Sequence, residues 1–302
     1  MAYMFAEATA FNQPLNNWVV SNVLDMTSMF LRATSFNQEL GNWDVSHVVK
    51  MQYMFNGAVA FTSDLKDWNV GNVMNMSAMF LNAQNFNSDL SRWDVKNVTD
   101  MASTFQKAVK FRSDLKNWNV SKVTNMSNMF FGCTLFESDL RNWNVERVTN
   151  MHGMFTGCSK FDSDLSNWKV DNVTDMGFMF HNCSQFKGIG LKNWNVSKVK
   201  NMECLFSQVT QFNTDISEWD VSSVTTMTKM FEGATSFNQN LSKWKLTALT
   251  IAKDMLNNSG ISCENYSVTL AAWSINQYTP QRAIEFGASG RSYNRMGYVG
   301  IE

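Results

Sequence analysis

The sequence lacks several features that nucleic-acid-binding, membrane and secretory proteins share. Its 302 residues include 25 basic and 26 acidic ones, so there is no excess of positive charge for phosphate groups. No apolar run approaches the roughly 20 residues that a transmembrane helix needs. The first residues, MAYMFAEATAF, show no secretory signal pattern. We therefore expect no nucleic-acid partner, no transmembrane segment and, in this chain, no signal peptide.

Signatures of catalysis are also missing. The chain has no GxSxG, P-loop or HExxH motif, and no GxGxxG after a strand. Its three histidines, His47, His152 and His181, occupy different positions of a repeat and lie far apart along it. We therefore expect no enzymatic activity and no cofactor.

A repeat of 25 residues dominates the sequence. Tryptophan recurs at positions 18, 43, 68, 93, 118, 143, 168, 194, 219 and 244, and phenylalanine recurs in two further columns with the same period. A fixed period between about 20 and 50 residues indicates a repeat architecture, in which each coil buries its apolar face against its neighbours.

The pattern within one repeat predicts two short elements. Leu115, Trp118 and Val120 suit an extended strand, because Trp and Val two residues apart point the same way. The next apolar residues have the spacing of one helical stripe, namely Val123, Met126, Met129, Phe130 and Cys133. The predicted fold is an α/β solenoid of about ten 25-residue coils, with short parallel strands on one face and short helices on the other.

The period defines two regions, a repeat solenoid over residues 1–256 and a C-terminal cap and tail over 257–302. In the cap, Tyr266, Leu270 and Trp273 have amphipathic helical spacing, and Ser262 is placed to cap that helix. The tail from 277 onward has few apolar residues. The first coil has no comparable cap, which leaves Phe5 and other apolar side chains without a covering neighbour. We therefore expect any association to use the N-terminal end, either with a second copy of the chain or with a missing upstream segment.

Segments such as FNSDLSRWDVKNVTDM and FNQELGNWDVSHVVKMQYMFNGAVAF resemble the 25-residue repeats of BspA-like leucine-rich-repeat surface proteins. The likeness covers roughly residues 1–256, and 115–120 falls where L-x-x-L-x-L would lie in a leucine-rich repeat. Val123 stands where that pattern has its Asn or Cys. The resemblance implies a leucine-rich-repeat-like solenoid and a cell-surface or secreted protein linked to adhesion, and it brings no catalytic residues.

Two polar columns flank the predicted strands, and we call them the polar rows. They supply the candidate binding residues Asn42, Asp44, Asp67, Asn69, Arg92, Asp94, Asn117, Asn119, Asn142 and Asn144. One interpretation is structural, with stacked amides hydrogen-bonded along the solenoid. The other is a flat surface that binds a glycan or a protein loop. We therefore predict a binding module for a protein or glycan ligand of unknown identity, with a structural spacer or assembly subunit as the alternative.

A third column is acidic and precedes each leucine. Asp89, Asp114 and Asp139 are weak candidates for calcium sites between coils, although no DxDxDG loop is present. The competing interpretation is a repeated turn in which each carboxylate accepts a backbone N–H.

Three of the five cysteines, Cys133, Cys158 and Cys183, share a column with alanines. That pattern favours small buried free thiols. The sequence also allows disulfides between coils. It therefore does not decide between an oxidising and a reducing compartment.

Overall fold

The computed structural model describes residues 1–275 and 286–287. In this part, isolated parallel β-bridges join one column from coil to coil, starting with Asp25 to Lys50 and Lys50 to Asn75 and ending with Thr226 to Ile251. Each bridge spans 25 residues, or 26 between Asp175 and Asn201. The chain is therefore a solenoid with the predicted period. The helical elements of the described residues are a 3-10 helix, Leu191–Asn193, and α1, Cys263–Ile275.

The apolar columns form one continuous core along the solenoid. From the second coil to the last, the repeated tryptophans are no more than 5% exposed. Their rings stack between coils, as for Trp93 and Trp118, whose centroids lie 6.5 Å apart at 1°. The two phenylalanine columns also stack, both within a coil and between coils, with Phe105 and Phe111 at 4.0 Å. Stacking identical side chains buries each coil against its neighbours, which a single coil cannot do alone.

The predicted strand over 115–120 is wrong for this fold. The backbone turns there, because the N–H of Trp118 bonds to the Leu115 carbonyl at 3.0 Å and that of Val123 to the Val120 carbonyl at 2.9 Å. Side chains make the contacts between coils instead. The Leu115 N–H donates to Ser138 Oγ at 2.9 Å, and its carbonyl accepts Trp143 Nε1 at 3.0 Å.

This ladder of tryptophan and serine side chains recurs along the array. Nine tryptophan Nε1 groups, from Trp43 to Trp244, donate to the carbonyl at the leucine position of the preceding coil over 2.9–3.3 Å. A buried carbonyl or N–H must find a partner, and here an indole and a hydroxyl take the place of strand pairing.

The predicted helix over 123–133 is also wrong. Overlapping turns replace it, with the N–H of Met129, Phe131 and Cys133 bonded to carbonyls three residues earlier. Between them, Asn128 and Gly132 have φ of 53° and 73°. Their N–H groups donate to the next coil, to the His152 and Thr156 carbonyls at 2.7 Å. A helix needs negative φ and bonds to the fourth preceding residue, so the alternation of bonds within and between coils excludes one.

The one-residue insertion keeps the hydrogen-bond pattern. In other coils, such as that of Leu115, the N–H at the leucine position donates to a serine hydroxyl of the next coil. The Leu165 N–H donates instead to the Ile189 carbonyl at 3.0 Å. Gly188 and Gly190 have φ of 79° and 92°. A Cβ on Gly190 would lie 2.2 Å from the Ser166 nitrogen, so only glycine fits there.

Helix α1 makes the hydrogen bonds to the last coil that a further coil would make. Ser262 Oγ accepts the Asn265 N–H at 3.2 Å, as the capping prediction requires. Thr269 Oγ1 then accepts the Leu241 N–H at 3.0 Å, and Trp273 Nε1 donates to the Leu241 carbonyl at 3.1 Å. These are the serine and tryptophan contacts of the ladder, supplied from a helix.

The boundary between 256 and 257 and the character of the tail stay predictions, and most of the tail lies outside the described residues. No helix in the described part of the chain has the length and apolar character needed to cross a membrane.

Candidate functional site

The polar rows lie on the surface, as predicted. All ten candidate residues are exposed, and the tryptophans and valines between them are buried. In the second row, Asp44, Asn69, Asp94, Asn119 and Asn144 each accept, through Oδ1, the backbone N–H two residues later at 3.0–3.2 Å. These side chains therefore close turns within their own coil. The predicted amide-to-amide stacking is replaced at these positions by bonds to backbone, as in the first row, where Asn42 donates to the Asn16 carbonyl at 2.7 Å.

The acidic column closes a second turn in each coil. Asp89, Asp114 and Asp139 accept the N–H of the residue two positions later at 2.9–3.0 Å. Asp114 also accepts Ser138 Oγ at 3.0 Å, which links it to the next coil. Asp89, Asp114 and Asn117 share a shallow polar hollow of about 450 Å³. In residues 1–275 and 286–287, no group of three or more His, Cys, Asp and Glu side chains is placed to hold one metal ion.

Hydrogen bonds set the electrostatics of these turns. The Ser91 backbone N–H lowers the pKa of Asp89, and the Ser217 side chain and backbone hold the pKa of Asp215 down to about 2. The carboxylates are therefore charged and already bonded as acceptors. These turn hydrogen bonds explain the acidic residues of the column without a metal ion. Calcium binding by Asp89, Asp114 and Asp139 stays a prediction.

A different surface carries most of the chemical variety, and we call it the turn face. It consists of the four repeat positions that Thr27, Ser28, Leu31 and Arg32 occupy and of their equivalents in the other coils. Its backbone is the same throughout, because the columns of Ser28 and Arg32 have positive φ in each coil. Its side chains differ from coil to coil. The column of Ser28 continues as Tyr53, Ala78, Ser103, Asn128, Gly153, Phe178, Cys204, Lys229 and Asp254.

The two positive-φ columns differ in the residues that they carry. Among the described coils, the column of Arg32 has glycine or asparagine at seven of eleven positions, as the backbone favours, whereas the column of Ser28 has them at two of eleven. Glycine and asparagine occupy left-handed conformations readily, whereas an aromatic residue there is an outlier. In the part of the chain that the structure describes, seventeen non-glycine residues have positive φ, and they include Tyr53 at 59° and Phe178 at 58°. Such strain costs on the order of 1–3 kcal/mol per residue and is concentrated at functional sites. The Tyr53 side chain is 44% exposed, so burial of its ring does not offset this strain energy.

One part of the turn face is aromatic and contains two of the histidines. The Phe178 ring lies 5.6 Å from His152 and 5.8 Å from His181. His152 Nδ1 lies 3.2 Å from Asp175 Oδ1, and this hydrogen bond raises the pKa of His152. Burial lowers the pKa of His181. The sequence separates these histidines by 29 residues, and the solenoid brings them onto neighbouring coils.

The turn face also holds polar atoms that the fold leaves without a partner. Among the described residues, buried side-chain atoms without a hydrogen bond include Thr27 Oγ1, Gln52 Oε1 and Ser207 Oγ. Most buried polar atoms in native proteins are bonded, so each exception needs an explanation. The turn face was not predicted as a site. Its signal in the sequence is the contrast between variable residues at 28, 31 and 32 and the constant Met, Phe and Ala columns beside them.

A shallow groove of about 430 Å³ runs along a third surface. We call it the Met74 groove. It crosses four coils and is lined by His47, Val49, Asn72, Met74, Asn97, Thr99 and Lys122. Val49 and Met74 form its apolar floor, and Met74 is 51% exposed.

The cysteines are free thiols, as the column pattern favours. Cys133, Cys158 and Cys183 are fully buried, and each Sγ donates to a phenylalanine carbonyl of the preceding coil at 2.9–3.0 Å. Burial raises their pKa and, to about 11, that of Cys204. These four thiols are therefore poor nucleophiles, and Cys263 is exposed.

These features define a solenoid of 25-residue coils with a constant core and a variable turn face. Comparison with models of protein families then identifies the family of the chain. The chain belongs to the family described as "Mycoplasma protein of unknown function, DUF285", whose model matches residues 1–117, 100–189 and 187–292. No curated protein matches the chain.

Two solved structures with leucine-rich-repeat character show distant likeness. One is the TLR13–ssRNA13 complex, with 10% identity and a TM-score of 0.19. The match covers 88% of this chain and 52% of that one, so this chain spans about half the length of its TLR13 counterpart. The other is the leucine-rich repeat domain of APL1B, with 10% identity, coverage of 88% and 86%, and a TM-score of 0.22. At these scores the fold assignment rests on the coils themselves.

Proposed function

We propose that this protein is a non-enzymatic binding module that recognises a protein ligand through its turn face. One observation carries the proposal. The backbone of the turn face is the same in every coil, yet its side chains change from coil to coil and include strained aromatic residues. Residues that served only the fold would converge on glycine or asparagine there. The column of Arg32 largely does so, whereas the column of Ser28 departs from these residues at nine of its eleven described positions.

The composition of the turn face supports a protein as the ligand. Tyr53, Phe131 and Phe178 are exposed or half-buried, and charged residues such as Arg32 and Lys107 lie among them. Aromatic residues and arginine are enriched at protein interfaces, where rigid rings give a large contact area. A row of different side chains on a rigid solenoid presents an extended, specific surface.

The resemblance to BspA-like surface proteins supports the remaining part of the proposal. We propose that binding serves adhesion and that the protein acts at the cell surface or outside the cell. The polar rows are the second candidate surface, with a glycan as the expected ligand, because carboxamides and carboxylates bond well to hydroxyl groups.

Two matched variants on a combined protein and glycan array separate these surfaces. The turn-face variant carries Tyr53→Ser, Lys107→Asn and Phe178→Asn, and the polar-row variant carries Asp67→Asn, Arg92→Asn and Asp94→Asn. Each new residue already occurs in the same column of another coil, so both variants should fold.

The proposal predicts a protein ligand whose affinity falls at least about tenfold in the turn-face variant and stays within about twofold in the polar-row variant. Retained binding by the turn-face variant would contradict it. Binding to glycans alone, lost in the polar-row variant, would establish the second surface instead.

The alternative function is a spacer or assembly subunit that associates through the first coil. Trp18 is 38% exposed, whereas Trp43 is 3% exposed, and Tyr3 and Met4 are also exposed. Sedimentation velocity over a hundredfold concentration range tests this alternative. It predicts association that an added upstream coil with a polar outer side suppresses. A species that stays monomeric throughout rules it out.

A further inference from the structure

We propose that the Met74 groove binds a short peptide segment that carries apolar side chains and a carboxylate. This surface lies apart from the turn face, so the proposal stands or fails independently of the proposed function. It rests on two features of the groove, the apolar side chains of Val49 and Met74 and the positive charge of Lys122.

The fold does not require the apolar side chains of the groove. Val49 and Met74 belong to a column that begins with Leu24 and continues with threonine at 99, 124, 149 and 174. In the later coils the hydroxyl donates to the carbonyl of the preceding coil, as Thr124 Oγ1 does to the Thr99 carbonyl at 3.2 Å. Threonine therefore suits this column and adds a hydrogen bond. Leu24 and Met74 are 62% and 51% exposed, and with the half-buried Val49 they occupy one column on three successive coils. A contiguous exposed apolar surface of this kind marks an interaction site.

One end of the groove carries a positive charge. Its lining includes Lys122 and contains no acidic residue. Lys122 Nζ donates to Asn97 Oδ1 at 2.8 Å, which holds the ammonium group at the end of the apolar floor. An anionic group on the ligand would pair with Lys122 while apolar groups cover Met74 and Val49.

The dimensions favour a peptide in an extended conformation. The lining comes from four successive coils, which at about 4.8 Å per coil spans roughly 14 Å. An extended chain advances about 3.3 Å per residue, so four or five residues fill this length.

Fluorescence anisotropy with a labelled pentapeptide of three leucines between two glutamates tests the proposal. Met74→Thr, with Val49→Thr as a second variant, removes apolar surface and places the residue of the later coils in the column. We expect either change to weaken binding about tenfold, as for the loss of one buried apolar side chain. We expect Lys122→Asn to weaken it about two- to fivefold and to reduce its salt dependence.

Lys198→Asn is the matched control. Lys198 Nζ donates to Asn172 Oδ1 at 2.8 Å, the same contact that Lys122 makes, but it lies outside the groove. Binding should be unchanged in this variant, and a peptide with lysines in place of the glutamates should bind more weakly. Absence of binding at millimolar peptide overturns the proposal. Equal effects of the two lysine variants, or equal binding of the two peptides, overturn it as well.

Discussion

The tryptophan ladder makes a quantitative prediction about stability. Trp118 is 3% exposed, stacks 6.5 Å from Trp93 and 6.4 Å from Trp143, and donates Nε1–H to the Leu90 carbonyl at 2.9 Å. Replacing it tests packing and hydrogen bonding separately. Trp118→Ala removes the ring and the bond, whereas Trp118→Phe removes the bond and leaves a smaller ring.

The magnitudes follow from these contacts. Emptying a buried tryptophan site costs about 3–5 kcal/mol. The Leu90 carbonyl also accepts the Trp93 N–H at 3.1 Å, so it keeps one partner, and the lost indole bond adds only about 1 kcal/mol. We therefore expect Trp118→Ala to lower the free energy of unfolding by about 4–6 kcal/mol and Trp118→Phe by about 2–3 kcal/mol.

Trp18 provides an internal control. It belongs to the same column but is 38% exposed, and its ring contact is with Phe5 at 5.7 Å. Surface substitutions usually change stability by less than about 0.5 kcal/mol, so Trp18→Phe should lie near that value.

Urea denaturation gives the free energies, and hydrogen exchange locates the loss, which should spread mainly to the coils on either side of Trp118. A Trp118→Phe variant within about 0.5 kcal/mol of the unmodified protein would refute the ladder. A cost for Trp18→Phe equal to that for Trp118→Phe would refute it too.

Four further predictions follow from the structure. Gly190→Ala should lower the urea midpoint strongly, because its Cβ would lie 2.2 Å from a backbone nitrogen; an unchanged midpoint would contradict the insertion geometry. In Ellman titration of the native protein at pH 8, Cys263 should react and the four buried thiols only after unfolding; immediate reaction of all five would contradict their burial. The pKa of Asp215 is lowered to about 2 in the folded state, so its contribution to stability is present above the unfolded value near 3.8 and is lost as pH falls toward 2; Asp215→Asn should flatten the stability profile in that window, and an unaltered profile would exclude this role. Asp114→Ala should cost about 1 kcal/mol through its turn and inter-coil bonds, with no change of melting temperature on adding EDTA; a lower melting temperature with EDTA would favour calcium.

The period of the sequence was sufficient to predict the core but not the backbone path. Trp118 and the rest of its column from Trp43 to Trp244 are buried, as the 25-residue repeat indicated. The helical stripe from 123 to 133 was misleading, because overlapping turns with two left-handed residues place the same side chains inward. Glycine usually signals left-handed positions, and Tyr53 and Phe178 carry no such signal.

The candidate site was only partly accessible from the sequence. The exposed polar rows and the turn-closing acidic column were predicted, since alternation and Asx chemistry are local. The meeting of His152, Phe178 and His181 depends on which columns share a face, and that required the coil geometry. Thr269 and Trp273 make the contacts of a further coil because of the way α1 packs against the last coil. The helical spacing of the sequence does not specify that packing.

Hydroxyl-radical footprinting of the complex with the ligand from the array compares the turn face, the Met74 groove and the first coil in one measurement. Reactive side chains report on each of them, with the exposed Tyr53 and the half-buried Phe178 on the turn face, Met74 in the groove and Trp18 on the first coil. Recognition through the turn face predicts that the ligand lowers oxidation of Tyr53 and Phe178 and leaves Met74 and Trp18 unchanged. Protection of Met74 or Trp18 with Tyr53 and Phe178 still fully oxidised would contradict it.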